Sequence, residues 1–255
     1  LPFTGYPQNF IPPYVYSFII GGQASPGTPE AFFLNKTQLM LLMTPVILFS
    51  LTVHEYSHGR VALLLGDDTA KRLGRLSFNP IKHLDILGVL FFYFVGFGWA
   101  KPVPVDARNF GSPRRDMMYV AIAGPLSNLT LAVIFSFFIR IIEPSDNAIL
   151  FALLSLGVYV NVALAIFNLL PVFPLDGSSV IKGLVPLDMA ARLGDLDRFG
   201  AILLIGIFLM DFFAHTGIIG YVLWEPIMFV VQFLSQDAFA ELSQVLMFII
   251  FTIRG

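Results

Sequence analysis

His54, Glu55 and His58, in the stretch His54-Glu55-Tyr56-Ser57-His58, have the types and spacing to work on a metal-bound water. Two histidines four apart lie on one face of a helix, where both can bind one ion. A glutamate beside the first is placed as general base for a water whose pKa the ion lowers to about 7. The preceding run, Leu39 to Val53, carries no charge, so the motif sits in a segment long enough to cross a membrane. A charged side chain at the bilayer centre costs about 2.5–3.5 kcal/mol on insertion scales. A divalent ion beside Glu55 offsets that cost.

A catalytic zinc site of this kind takes a third protein ligand, an Asp or Glu, and leaves the fourth position to water. Asp176, in Asn168-Leu169-Leu170-Pro171-Val172-Phe173-Pro174-Leu175-Asp176-Gly177, is the first candidate. Two prolines break the helix there and a glycine follows, so the carboxylate rides on a turn able to face back into a bundle. Asp211, inside a later apolar segment, is the second candidate.

The elements that must position these residues follow from composition. Of 255 residues, 56% are hydrophobic and 13% charged, and mean hydropathy is +0.79. Soluble domains carry about 25% charged residues. This is the composition of a polytopic membrane protein, with the lipid bilayer as its surroundings. A net charge of -2 gives no footing for nucleic acid. With no cysteine, thiolate ligands, disulfides and a cysteine nucleophile are excluded.

Apolar runs predict helices over 38–66, 117–142 and 148–170, with further segments at 198–213, 217–235 and 239–253. Residues 86–99 are apolar but short and glycine-rich, which suits a re-entrant hairpin covered by protein or water. Residues 1–36, rich in proline, glycine and aromatics, are expected to be interfacial or partly disordered. The connection 67–116 holds eight of the fifteen Lys and Arg, which places it on the cytoplasmic side. Glu143 and Asp146 then fall on the other side, while the metal motif and Asp176 share the cytoplasmic end.

These pieces resemble the site-2 proteases, intramembrane zinc metalloproteases, in the compact prokaryotic branch without a PDZ domain. The matching stretches are His54 to His58, Asn79-Pro80-Ile81-Lys82-His83, Gly96 to Val105, Ala123-Gly124-Pro125-Leu126-Ser127-Asn128 and Asn168 to Gly177. They stand in the family's order over roughly residues 38–200. The resemblance implies one zinc per chain on His54, His58 and Asp176, with Glu55 as catalytic base. It implies Asn128 as a polar group facing the site, there to hold an oxyanion, and Asn168 as a supporting or substrate-positioning residue. It makes the segment around Gly96, Phe97 and Gly98 a membrane-embedded β-hairpin whose edge holds extended substrate by strand addition.

The expected fold is therefore an all-α polytopic membrane protein of about six transmembrane helices with a short embedded β-hairpin. Residues 1–36 form an N-terminal segment, and 37–255 a metalloprotease domain. The expected activity is endopeptidase cleavage in or near transmembrane segments of membrane-anchored proteins, such as anti-sigma factors or signal-peptide remnants. The expected place is a prokaryotic inner membrane, with the site toward the cytoplasm. The competing reading is a membrane metal-ion transporter or metal-binding membrane protein. A transporter spreads ionisable groups along a path, whereas here they gather at one depth. Neither GxGD nor GxSxG occurs, so aspartyl and serine intramembrane chemistry lack their motifs.

Overall fold

The computed structural model describes residues 36–95, 98–142, 147–214 and 218–254. Helices dominate: α1 (Lys36–Leu64), the single turn α2 (Thr69–Arg72), α3 (Ile86–Val95), α4 (Pro113–Ile139), α5 (Ala148–Asn168), α6 (Asp176–Leu184), α7 (Leu187–Ala214), α8 (Ile218–Ser235) and α9 (Phe239–Arg254). Among the described residues, three helices are long and apolar enough to cross a membrane. They cover Leu39–Leu64, Pro113–Ile139 and Ile149–Asn168, with mean hydropathy 1.5, 1.8 and 2.4.

Those three pack on one another. Leu39 and Met43 of α1 bury against Leu156 and Val160 of α5. Toward the opposite end of α1, Ala62 meets Val120 of α4 and Phe110. A larger core joins Ala132 and Ile139 of α4, Phe151, Leu154, Val158 and Val162 of α5, Ile227 and Val231 of α8, and Leu242 and Leu246 of α9. Lipid tails are as apolar as these side chains, so close fit and interhelical hydrogen bonds hold such a bundle together. Small residues make the fit: a Cβ at Gly157 of α5 would stand 2.8 Å from Phe135 of α4.

Two elements differ from the sequence expectation. In place of the hairpin expected over residues 86–99, Ile86–Val95 is an α-helix. Asp85 starts it, its carboxylate accepting from Gly88 N–H at 2.9 Å while its carbonyl accepts from Val89 N–H. Ten apolar residues have no alternation to favour a strand, and the capped start decides for helix. The chain then returns with one antiparallel bridge, Leu84 to Ala100, and no strand forms among the described residues. Gly96 and Phe97 lie outside the described residues, as do 1–35. The second difference is α7, which begins at Leu187, eleven residues before the apolar run at 198. Its first half carries Asp188, Arg192, Asp195, Asp197 and Arg198, so apolarity alone did not reveal it.

Asp176 is carried by α6, a nine-residue helix held at both ends. At its start Gly177 packs directly on the Leu169 and Leu170 carbonyls, where any Cβ would overlap them. At its end the Arg114 guanidinium, from the first turn of α4, donates to the carbonyls of Lys182, Gly183 and Val185. Those are carbonyls a helix end leaves without intrahelical partners, and a cation there also suits the helix dipole. Lys182 closes the far side on Asp197 of α7 at 2.6 Å.

Candidate metal centre

α1 and α4 pack so closely at one point that only glycine fits. A Cβ at Gly124 would stand 2.6 Å from His54 Cε1 and 2.5 Å from His58 Cε1, and closer still to His58 Nε2. The helix α4 therefore forms a floor under both imidazoles, which are buried.

The partners on that floor set the histidine tautomers. His54 Nδ1 lies 2.6 Å from Asn128 Oδ1, and His58 Nδ1 lies 2.7 Å from the Val120 carbonyl. Both partners only accept, so each Nδ1 carries the hydrogen and Nε2 is the nitrogen turned inward, free to bind an ion when the ring is neutral. The Asn128 orientation is fixed in turn, since its Nδ2 donates to Asn161 Oδ1 at 2.8 Å and to the Ser50 carbonyl at 3.3 Å.

The two bare nitrogens are 3.0 Å apart. Asp176 Oδ2 joins them at 3.2 Å from His54 Nε2 and 3.3 Å from His58 Nε2. It is a buried oxygen with no hydrogen-bond donor. Three acceptor atoms facing one another at such distances repel unless a cation lies between them. Ligands about 2.0 Å from a tetrahedral zinc are separated by about 3.3 Å, so the triangle has the size that ion requires. Two imidazoles and a carboxylate are also the donor set of catalytic zinc. The residues fit the metal. Among the described residues this is the one group of three or more such side chains able to share an ion.

Glu55, next to His54 on α1, is half-buried and accepts from the Val103 N–H at 2.7 Å. The segment that brings Val103 there is tied down repeatedly. Lys101 N–H donates to the His83 carbonyl at 2.8 Å, and Arg75 donates to the carbonyls of Lys101 and Pro102 at 2.8 and 3.1 Å. Asp106 N–H donates to Asp67 at 2.8 Å. Gly59, one turn beyond Glu55, lets Val103 sit on α1, its Cβ position being 3.0 Å from Val103 Cγ1.

Asp67 is fully buried just past the end of α1. Burial opposes its charge, but donors from Thr69 Oγ1, Asn109 Nδ2 and the backbones of Asp106 and Thr69 outweigh it. They hold its carboxyl below the usual carboxylate range.

The structure thus gathers His54, His58 and Asp176, with Glu55 beside them and Asn128 behind His54. Both Asn128 amide hydrogens are engaged on Asn161 and Ser50, so its contact toward the site goes to His54 rather than into open space. Asn168 donates to the Leu164 carbonyl of its own helix at 2.9 Å. Gly98 lies against α3, where a Cβ would overlap the Gly88 carbonyl. Asp211 is on α7, and its side chain is outside what the structure describes. Sequence reasoning missed Asn161 and Ser50. Asn161 Nδ2 donates to Ser50 Oγ at 2.9 Å and to the Gly157 carbonyl at 2.8 Å. The signal was there in kind: a lone asparagine within an apolar span needs a partner.

A protein of Bacillus subtilis named "Putative zinc metalloprotease YwhC" is 40% identical over 203 residues, covering 76% of this chain and 90% of that protein. "Putative zinc metalloprotease Rip2" of Mycolicibacterium smegmatis is 28% identical over 154 residues, 58% of this chain and 59% of Rip2. "Putative zinc metalloprotease MJ0611" of Methanocaldococcus jannaschii is 40% identical over 63 residues, 32% of its own length. No family model matches, and no solved structure does.

Proposed function

This chain belongs to the zinc metalloprotease family of YwhC, and from that premise we propose that it is an intramembrane endopeptidase of the site-2 type. It cuts peptide bonds in or near transmembrane segments of anchored substrates. The observation that carries this reading is the convergence of three bare acceptor atoms, His54 Nε2, His58 Nε2 and Asp176 Oδ2, beside Glu55 on an apolar helix.

When bound there, zinc acidifies a water and polarises a carbonyl. The chain's own residues do the rest. Asn128 and the Val120 carbonyl hold the hydrogen on each Nδ1 and keep both Nε2 atoms aimed inward. Glu55 takes a proton from the attacking water and returns it to the leaving amine. The Val103 N–H holds one Glu55 oxygen and leaves the other for that work. Asn128 is then a positioning residue acting through His54. The bilayer topology in this reading is about six spans with the site toward the cytoplasm of a prokaryotic inner membrane, and a helical substrate must unwind to present its carbonyl. Anti-sigma factors and signal-peptide remnants fit that substrate class.

The test uses purified, zinc-loaded protein and a model transmembrane peptide. Wild type should cleave, and Glu55→Gln should keep its zinc while cleaving at least about a hundredfold more slowly. A wild type that cleaves nothing, or a Glu55→Gln that cleaves as fast, refutes the reading. Zinc flux through proteoliposomes unaffected by Glu55→Gln would favour a transporter.

A further inference from the structure

A cavity of about 70 Å³ lies between α1 and α3, lined by Ile47, Leu48, Leu51, Val89, Phe92 and the Gly98–Ala100 segment, among others. Its α1 wall is one stripe of the helix. At 100° per residue, Thr44, Leu48, Leu51 and Thr52 fall on a single face, and Glu55 lies at the centre of that face one turn further on. The other wall also leads to Glu55, because Gly98, Trp99 and Ala100 run on to Val103, whose N–H holds the Glu55 carboxylate. Two separate stretches of backbone thus join this space to the reacting groups.

Its lining is apolar in what it offers. Thr44 Oγ1 donates to the Met40 carbonyl and pairs with Tyr93 Oη at 2.8 Å. Thr52 Oγ1 donates to the Leu48 carbonyl at 2.6 Å. His83 turns Nε2 to the Ser77 carbonyl, and its Nδ1 is buried without a hydrogen-bond partner. The end wall is closely packed: Gly88 and Gly98 let α3 and the returning chain touch backbone to backbone, and a Cβ at either would overlap the other's chain. The space is less than half of the ~150 Å³ hole that takes a benzene ring. It suits a branched aliphatic side chain and is too small for an aromatic one.

We propose that this cavity is a specificity subsite, which receives an aliphatic side chain of the substrate beside the scissile bond. The inference rests on the protease reading above and adds the class of residue chosen. It explains why α3 stands away from α1 instead of interlocking with it: the intervening space is filled by substrate during cleavage.

The test varies cavity and substrate together. A panel of model transmembrane peptides carries Ala, Val, Leu or Phe at each residue flanking the scissile bond. Wild type is compared with Val89→Trp, which fills the space, and Leu51→Ala, which enlarges it. Zinc content near one per chain certifies the fold of each variant. Wild type should prefer Leu or Val over Phe in kcat/KM at one flanking position. Val89→Trp should shift that position toward Ala by roughly tenfold, and Leu51→Ala should shift it toward Phe by a similar factor, the range one or two methylenes produce in a pocket. If wild type cleaves but neither variant moves the preference by more than twofold, the subsite is wrong and the protease reading survives. If zinc-loaded wild type cleaves none of the panel, both fall.

Discussion

Replacing Gly124 by alanine puts one methyl where the His54 and His58 rings stand. Carbon atoms rest about 3.5–4.0 Å apart, while the new Cβ would be 2.6 Å from His54 Cε1 and 2.5 Å from His58 Cε1. Something must move by about 1 Å. If the rings move, they leave a site whose ligand distances tolerate about 0.2 Å. If α4 moves, the 2.6 Å bond from His54 to Asn128 and the 2.7 Å bond from His58 to Val120 break together. Overpacking of this kind costs about 1–3 kcal/mol in stability. Removing the partners that orient a metal-bound histidine weakens metal affinity by about 10–100-fold. Gly124→Ala should therefore bind zinc at least tenfold more weakly, read by chelator competition, and melt earlier. Gly206→Ala is the control, because a Cβ there meets nothing within 4 Å. A helical Gly-to-Ala exchange in open space stabilises slightly, so the control should keep wild-type zinc affinity. If Gly124→Ala binds zinc as tightly as wild type, the floor under the histidines is not where the structure puts it.

Other perturbations separate the supporting parts. Asn128→Ala removes the acceptor on His54 and strands the amide partners Asn161 and Ser50. It should weaken zinc about tenfold or more and destabilise by about 1–3 kcal/mol; equilibrium dialysis and thermal melts read the two effects. Arg75→Ala removes the grip on the Lys101 and Pro102 carbonyls, so kcat should fall through the loosened Val103–Glu55 contact while zinc content stays at wild type. Zinc lost in parallel with kcat would contradict that division. Asp67 titrates below its ordinary range when folded. Its contribution is therefore fully present above the unfolded carboxylate pKa of about 3.9 and is lost as pH falls through the lower folded value. Asp67→Asn should be less stable at pH 7 and show a shallower loss on acidification from pH 5, measured by melting temperature. Parallel acid profiles would remove Asp67 as the cause.

What the sequence made legible follows the length scale of each signal. The helices α1, α4 and α5 contain long apolar runs, and residues 117–142 and 148–170 come close to the helices found. The ten residues of α3 are too short for apolarity to choose between helix and hairpin, and the deciding contact is a cap from Asp85. The charged half of α7 hides its start: Asp197 pairs with Lys182 of α6, and Asp188, Arg192, Asp195 and Arg198 are exposed. Within the site, the histidine spacing and an acid among prolines mark side chains that the structure gathers. Nothing in residue type foretells that a backbone N–H, that of Val103, holds Glu55. Nor does spacing show that Asn161, on a different helix from Asn128, completes its hydrogen bonds. Such contacts depend on how helices are set against each other, and glycines such as Gly124 and Gly177 fix that setting.

The central claim is that His54, His58 and Asp176 together hold one catalytic zinc. Metal content of the purified protein, wild type beside Asp176→Ala, tests it most directly. The account predicts close to one zinc per chain in wild type and its loss, or much weaker retention, in the variant. Zinc held equally well by Asp176→Ala would remove that carboxylate from the site, and a wild type unable to take up zinc would contradict the account as a whole.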